Sequence, residues 1–291
     1  MMMPWILAAR PKTLPAAVAP VAAGTVLGYR LAGQWQLGLA LLALVACLAL
    51  QIATNLFNDA IDHQKGADTA KRLGPRRVTA SGDLTSKQVF LGAFLVLLVA
   101  GLCAFPLWQA RGWPIIALGI PSLYLCYGYT GGPFPLAYRG LGDLFVLVFF
   151  GWVAVVGSCF LQTGQFDLSA LLLGTQIGLL SMALIAINNL RDMEEDRGTG
   201  KRTLAVRMGA RWARVEIACC LLSPAFLGLA WLAFDMPKVA LWPFVSLPLG
   251  LLITKWVWAH PPGVIYNRFL GVSAMHLLLN SGILVAALLK R

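Results

Sequence analysis

Charge is scarce in this chain. Only 12% of its residues are Asp, Glu, Lys or Arg, just 12 of them are acidic, and 59% of all residues are apolar. A soluble domain of 291 residues cannot bury that much apolar surface, and the mean hydropathy of +0.75 says the same, so a water-soluble globular fold is excluded. Period-2 alternation is missing as well, which excludes a lipid-facing β-barrel. The long apolar segments must satisfy their backbones internally, so the fold class is an all-α integral membrane protein. Histidine is sparse: His63, His260 and His276 are scattered and His63 reads as a solvated loop residue. The six cysteines (Cys47, Cys103, Cys126, Cys159, Cys219, Cys220) show no metal-ligand spacing and read as packing residues without disulfides. The N-terminal Met1–Arg10 piece lacks the basic leader and small-residue cleavage site of a signal peptide. With Trp5 and Ile6 ahead of Arg10 and Lys12, it reads as an interfacial lead-in that stays on the mature protein.

Nine candidate spans follow along the chain, at about 14–33, 38–58, 88–108, 113–129, 141–161, 168–190, 214–234, 239–259 and 270–289. The whole chain, 1–291, reads as one transmembrane domain with two polar interruptions, 55–87 and 188–214. With the N-terminus inside, 18 Lys and Arg residues fall on the cytoplasmic side and 5 outside. The expected location is the bacterial plasma (inner) membrane, with the N-terminus and both interruptions cytoplasmic. The Lys290-Arg291 pair fits that topology poorly. The net charge of +11 sits in juxtamembrane loops without aromatic interleaving. It points to anionic lipid headgroups and away from nucleic acid.

The two interruptions carry the chemistry. Asn58 and Asp62 are four residues apart and share a helix face, with Asn55 one turn earlier and Asp59 on the flank. Asn188, Asp192 and Asp196 repeat the four-residue step about 130 residues later, which suggests an internal duplication. Such faces present oxygen donors only, as magnesium prefers, and magnesium fills its remaining positions with water and phosphate. Each cluster is followed by glycine and basic residues, Gly66 to Lys71-Arg72 and Gly200-Lys201-Arg202-Thr203. Arg and Lys there neutralise the non-bridging oxygens of a diphosphate, Arg bidentately. One cluster alone reads equally well as a solvated helix cap; two on one side of the membrane do not. Among Arg72, Arg76, Arg77, Arg191, Arg197 and Arg207, some only mark topology.

Asn58-Asp59-x-x-Asp62, and Asp192-x-x-x-Asp196 followed by Gly200-Lys201-Arg202-Thr203, resemble the two aspartate-rich motifs of the UbiA superfamily of intramembrane prenyltransferases, over the whole chain. Gly66 to Pro75, Tyr129-Thr-Gly-Gly-Pro133 running to Tyr138-Arg-Gly-Leu-Gly-Asp143, Asn188 to Asp192, Lys201 to Val206 and Arg10-Pro-Lys-Thr-Leu14 are most similar to the 1,4-dihydroxy-2-naphthoate polyprenyltransferase branch of menaquinone synthesis. The resemblance implies about nine helices around a central cavity, with two magnesium ions between the acidic motifs and an allylic polyprenyl diphosphate. Carried over by position, the metal set is Asn58, Asp62, Asp68, Asn188, Asp192 and Asp196, with Asp68 standing in for the acid that many members have where this chain has Gly66. Asp62, Asp192, Asp196 and Lys201 form the implied catalytic set. Arg72, Lys201, Arg202, Arg139 and Tyr129 are implied to bind the diphosphate or the acceptor's carboxylate; Tyr138 is a weaker candidate.

The implied reaction is magnesium-dependent electrophilic aromatic substitution: the allylic C–O bond ionises, the naphthoate ring attacks, and carbon dioxide and a proton leave, giving demethylmenaquinone at the quinol level. An apolar cavity suits this because water quenches the cation. Phe145, Phe149 and Phe150 read as packing or lipid contacts. Two other readings stay open: the same chemistry on 4-hydroxybenzoate or homogentisate, and an ion-coupled transporter, since intramembrane acids and repeated halves also mark ion pathways. Transport sites sit near the bilayer midplane, whereas these acids sit at helix ends.

Overall fold

The computed structural model describes residues 2–68 and 72–290; Lys71 and Arg291 lie outside them. Among the described residues there is no β-strand. Seven helices among the described residues are long and apolar enough to cross a membrane: α3 (Leu37–Gln64), α4 (Ser86–Arg111), α6 (Gly142–Thr163), α7 (Leu168–Arg191), α10 (Ala210–Phe234), α11 (Pro237–Ala259) and α12 (Tyr266–Leu289). Short helices α8 (Met193–Gly198) and α9 (Leu204–Met208) lie in the loop after α7. The protein is therefore an integral membrane protein.

The expectation of nine full spans is not established. The N-terminal segment is a broken pair, α1 (Met2–Ala9) with the turn Pro11–Thr13, then α2 (Pro15–Ala32), bent by 52°. Proline at the start of each piece sets φ for a new helix while ending the previous one. Counting that pair as one span gives up to eight. The expected span 113–129 is α5 (Trp113–Gly128), an apolar helix of 16 residues. At 1.5 Å per residue that is about 24 Å, short of the roughly 30 Å hydrocarbon core.

Lipid supplies no hydrophobic drive between helices, so close backbone approach has to hold the bundle. Gly24 and Gly28 provide it between α2 and α6: a Cβ on Gly24 would lie 2.4 Å from the Val155 carbonyl oxygen, and one on Gly28 2.6 Å from Gln162 Cβ. On the other side of α6, Gly151 meets Gly174 and Gly178 of α7, with Cβ clearances of 2.5 to 3.0 Å. Both Gly24/Gly28 and Gly174/Gly178 are small-xxx-small pairs. The Gly151 contact sits inside a π-helical stretch of α6 at Leu147–Val153, a local change often found at functional sites.

Polar contacts separate the two ends. At one end Arg30 donates to the carbonyls of Leu288 and Lys290 at 2.8 and 3.1 Å, and Gln36 and Gln162 bond reciprocally. Arg30 and Lys290 thus share an end. At the other end the segments after α3, α5, α7 and α11 converge: Lys65 reaches the Thr130 carbonyl, Lys201 reaches Asp62, and Asn267 joins Arg191 to the Leu73 carbonyl. Asn55 ties this end to the N-terminal segment through the Ala9 carbonyl and Thr13 Oγ1, at 2.9 and 3.0 Å.

Candidate active site

A cavity of about 1210 Å³ opens among α1 to α7 and α12. Its body is apolar, lined by residues such as Leu50, Leu107, Ile115, Leu161, Leu184 and Leu278. Its head carries Asn58, Asp62, Arg72, Tyr129, Asn188, Asp192, Asp196 and Lys201. The α3 and α7 motifs face this one space, as their four-residue steps predict. Phe145, Phe149 and Phe150 line it too, with Phe145 and Phe149 stacked at 5.9 Å between centroids. They face the cavity, which corrects the packing or lipid-contact reading.

Asp62 is 2% exposed and is the hub of the head. Its Oδ2 accepts from Arg77 Nη2 at 3.0 Å and from Lys201 Nζ at 2.8 Å, and its Oδ1 from the Tyr138 hydroxyl at 3.0 Å. Asp68 accepts from Arg72 at 2.7 Å and faces Arg77 Nε at 3.3 Å, while its Oδ2 is buried with no partner among the described residues. Burial pushes the Asp68 carboxyl up to about 6, against the pull of Arg72. Lys65 Nζ lies 4.1 Å from the Tyr138 ring centroid and Lys201 Nζ 5.2 Å from it. Burial lowers the Lys65 pKa, and burial together with the Asp62 charge raises that of Tyr138.

Asp59 does structural work. It accepts from the backbone N–H groups of Val78 and Thr79 at 3.3 and 3.1 Å and from the Thr79 hydroxyl, which folds the 77–85 loop back over α3. That return is what delivers Arg77, its side chain 5% exposed, to Asp62. Asn58 Oδ1 accepts from the Thr130 hydroxyl.

In the second motif Arg191 grips its neighbour Asp192 bidentately, at 2.7 and 2.6 Å, and donates to Asn188 Oδ1 at 2.7 Å and Asn267 Oδ1 at 2.6 Å. Asp196 is buried on α8, and burial, opposed by Lys201 and assisted by Asp192, raises its carboxyl to about 7. No three His, Cys, Asp or Glu side chains among the described residues are grouped as a metal site. Two of the six expected ligands are Asn, and the Asp62, Asp68 and Asp192 carboxylates are held by Arg and Lys.

Two expected anion ligands are not brought here. Arg139 is exposed, stacked 3.8 Å over Phe134, and Arg202 is exposed with its carbonyl accepting from Arg207. Neither lines the cavity. Gly140 explains part of this: with φ +69 it turns the chain so that a Cβ there would lie 2.8 Å from the Arg202 carbonyl, and the two loops meet through backbone. Arg77 and Thr130 are the cavity-lining residues that sequence spacing does not single out; Lys65 is exposed and, like Tyr138, stands outside the lining, with Tyr138 reaching the site through Asp62, whereas the half-buried Tyr129 lines the cavity and abuts Gly142.

The chain is 41% identical over 245 residues to the 1,4-dihydroxy-2-naphthoate octaprenyltransferase of Haemophilus influenzae, covering 82% of this chain and 79% of that protein. It is 36% identical over 257 residues to the Escherichia coli K12 enzyme of the same name, covering 86% and 82%. In fold it is similar to a UbiA homolog from Archaeoglobus fulgidus solved with DMAPP and Mg2+, at 14% identity and a TM-score of 0.62 over 96% of this chain and 98% of that one. Residues 17–279 match the model of the UbiA prenyltransferase family, and with two acidic helix ends facing one membrane cavity, the chain belongs to that family.

Proposed function

We propose that the protein transfers a polyprenyl group from an allylic polyprenyl diphosphate to 1,4-dihydroxy-2-naphthoate, releasing diphosphate and carbon dioxide and giving demethylmenaquinone at the quinol level. The whole chain acts as one unit. The observation that carries this reading is the convergence of both acidic motifs, with Lys201 and Arg77 on Asp62, over one large apolar cavity. The named substrates of the Haemophilus influenzae and Escherichia coli relatives supply the acceptor and the donor class.

The donor set fits a divalent cation. It is all oxygen, Asp62, Asp192 and Asp196 are buried, and the Asp68 Oδ2 atom, shielded from water, has no hydrogen-bond partner among the described residues. Asn58, Asp62, Asp68, Asn188, Asp192 and Asp196 would hold two Mg2+ ions, the cation bound by the Archaeoglobus fulgidus neighbour. Magnesium there supplies neutralisation of the diphosphate's charge as it leaves.

The chain's own residues do the rest. Lys201 and Arg72 present positive charge to the diphosphate from two segments, so release of Lys201 from Asp62 couples donor binding to both motifs. Tyr138 holds Asp62 between the two lysines. The apolar cavity wall, including Phe145 and Phe149, takes the prenyl tail and keeps water from the allylic carbon. The head of the cavity faces the cytoplasm of the bacterial inner membrane, because the basic segments gather at that end.

The test is incubation of purified protein in lipid with a polyprenyl diphosphate, 1,4-dihydroxy-2-naphthoate and magnesium, with and without chelator. Prenylated naphthoquinol that disappears with the chelator is expected. No product under either condition would overturn the reading.

A further inference from the structure

Asp143 is a buried carboxylate that diphosphate handling does not use. It is 2% exposed, stands in the first turn of α6, and lines the cavity just ahead of Phe145, Val146 and Phe149. Both of its oxygens accept from one donor, Asn189 Nδ2, at 3.2 and 3.3 Å. No Lys, Arg or His among the described residues forms an ion pair with it. Aspartates inside membrane proteins are ordinarily paired with cations or used for proton transfer. An acid in the first turn of a helix gains from the helix dipole, but that gain is small beside the cost of desolvating a lone carboxylate. Asn189 occupies one approach to the carboxylate and leaves further lone pairs on both oxygens.

The position matters as much as the isolation. Asn189 follows Asn188 of the second motif, so the carboxylate is fixed to the same helix end that carries the diphosphate site. Asp143 therefore lies where the polar head of the cavity passes into its aromatic wall. An electron-rich aromatic acceptor must put its hydroxyls near the head and its ring near the allylic carbon.

We propose that Asp143 is the general base of the transfer, accepting the proton of an aromatic hydroxyl on the acceptor, with Asn189 as its positioning residue. This rests on the prenyltransferase reading above. In the step, the hydroxyl O–H bond breaks and its proton goes to an Asp143 carboxylate oxygen. The freed electron pair delocalises into the ring, a ring carbon forms the bond to the allylic carbon, and the allylic C–O bond breaks with its electrons on the diphosphate. The titratable groups that feel the Asp143 charge are Tyr129 at the end of α5 and Glu216 and Cys220 on α10.

The experiment compares wild type with Asp143→Asn, Asp143→Glu and Asn189→Ala in lipid. It uses 1,4-dihydroxy-2-naphthoate and a ring-fluorinated analogue with more acidic hydroxyls. Asp143→Asn is expected to bind polyprenyl diphosphate with the wild-type Kd and to lose about 100-fold or more in kcat, the usual weight of a general base. At saturating magnesium, which keeps the metal-binding carboxylates ionised, it should also lose the part of the acidic limb that Asp143 sets, and it should recover about tenfold with the fluorinated acceptor. Asp143→Glu should restore turnover in part, and Asn189→Ala should move the acidic limb to higher pH. Turnover of Asp143→Asn within threefold of wild type overturns the assignment, as does an equal loss with both acceptors or an acidic limb unmoved in Asn189→Ala. Absence of product from wild type overturns the prenyltransferase reading itself, and this assignment with it.

Discussion

Lys201 Nζ lies 2.8 Å from Asp62 Oδ2 across a sequence separation of 139 residues. The loop of the second acidic motif thereby closes onto the carboxylate of the first, and neither motif is complete alone. Asp62→Asn or Asp192→Asn is expected to lower turnover by at least about 100-fold, on the scale of lost transition-state charge stabilisation, while the protein stays folded in the membrane. Lys201→Ala should chiefly raise the KM for the prenyl diphosphate. The exposed Arg139 and Arg202 serve as controls, and their alanine variants should keep donor KM within about twofold. Steady-state kinetics in lipid, with thermal melts alongside, check all five.

Arg77 carries a structural burden that its neighbour Arg76 does not. Arg77 is buried between Asp62 and Asp68, whereas Arg76 pairs with Asp83 at the surface. Removing one partner of a buried ion pair leaves an uncompensated charge and costs about 3–5 kcal/mol, while an exposed pair contributes about 1 kcal/mol or less. Arg77→Ala should therefore lower the melting temperature strongly and Arg76→Ala hardly at all.

Stability should depend on pH through Asp68 and Asp196, whose carboxyls are raised by burial to about 6 and about 7. A carboxyl raised in the folded state binds its proton more tightly there than in the unfolded chain, so its contribution favours folding at low pH. That contribution is lost as pH rises from about 4 toward 7. Melts of metal-free protein should show this decline once other carboxylates are accounted for by Asp68→Asn and Asp196→Asn. Added magnesium binds the ionised forms, so its stabilising effect should grow over the same window.

Gly24 should tolerate no side chain, because a Cβ would meet the Val155 carbonyl at 2.4 Å. Gly38 has no neighbour within 4 Å of the same position. Gly24→Val is expected to abolish stable expression, and Gly38→Ala to leave the melting temperature within a few degrees.

The membrane class, the all-helical fold and the pairing of the two Asn–Asp steps were legible because hydropathy and a four-residue period are local properties. Asn58 with Asp62, and Asn188 with Asp192 and Asp196, do line one cavity. What local pattern could not give was the path of the loops. Arg76 and Arg77 are equivalent in sequence, and only the capture of Val78 and Thr79 by Asp59 turns the second of them inward. The same reason hid Lys65, which reaches Thr130, and promoted Arg139 and Arg202, whose loops meet through backbone and leave the side chains outside. The count of nine spans is not established at α5, where an apolar segment forms a helix of 16 residues.

The most direct measurement is a competition assay: purified protein in lipid with magnesium, one polyprenyl diphosphate and equal amounts of 1,4-dihydroxy-2-naphthoate and 4-hydroxybenzoate, with products and carbon dioxide followed by mass spectrometry. Prenylated naphthoquinol with equimolar carbon dioxide, and little or no prenylated hydroxybenzoate, is the predicted result. Predominant prenylation of 4-hydroxybenzoate would contradict the acceptor, and magnesium-independent or absent product would contradict the proposed chemistry altogether.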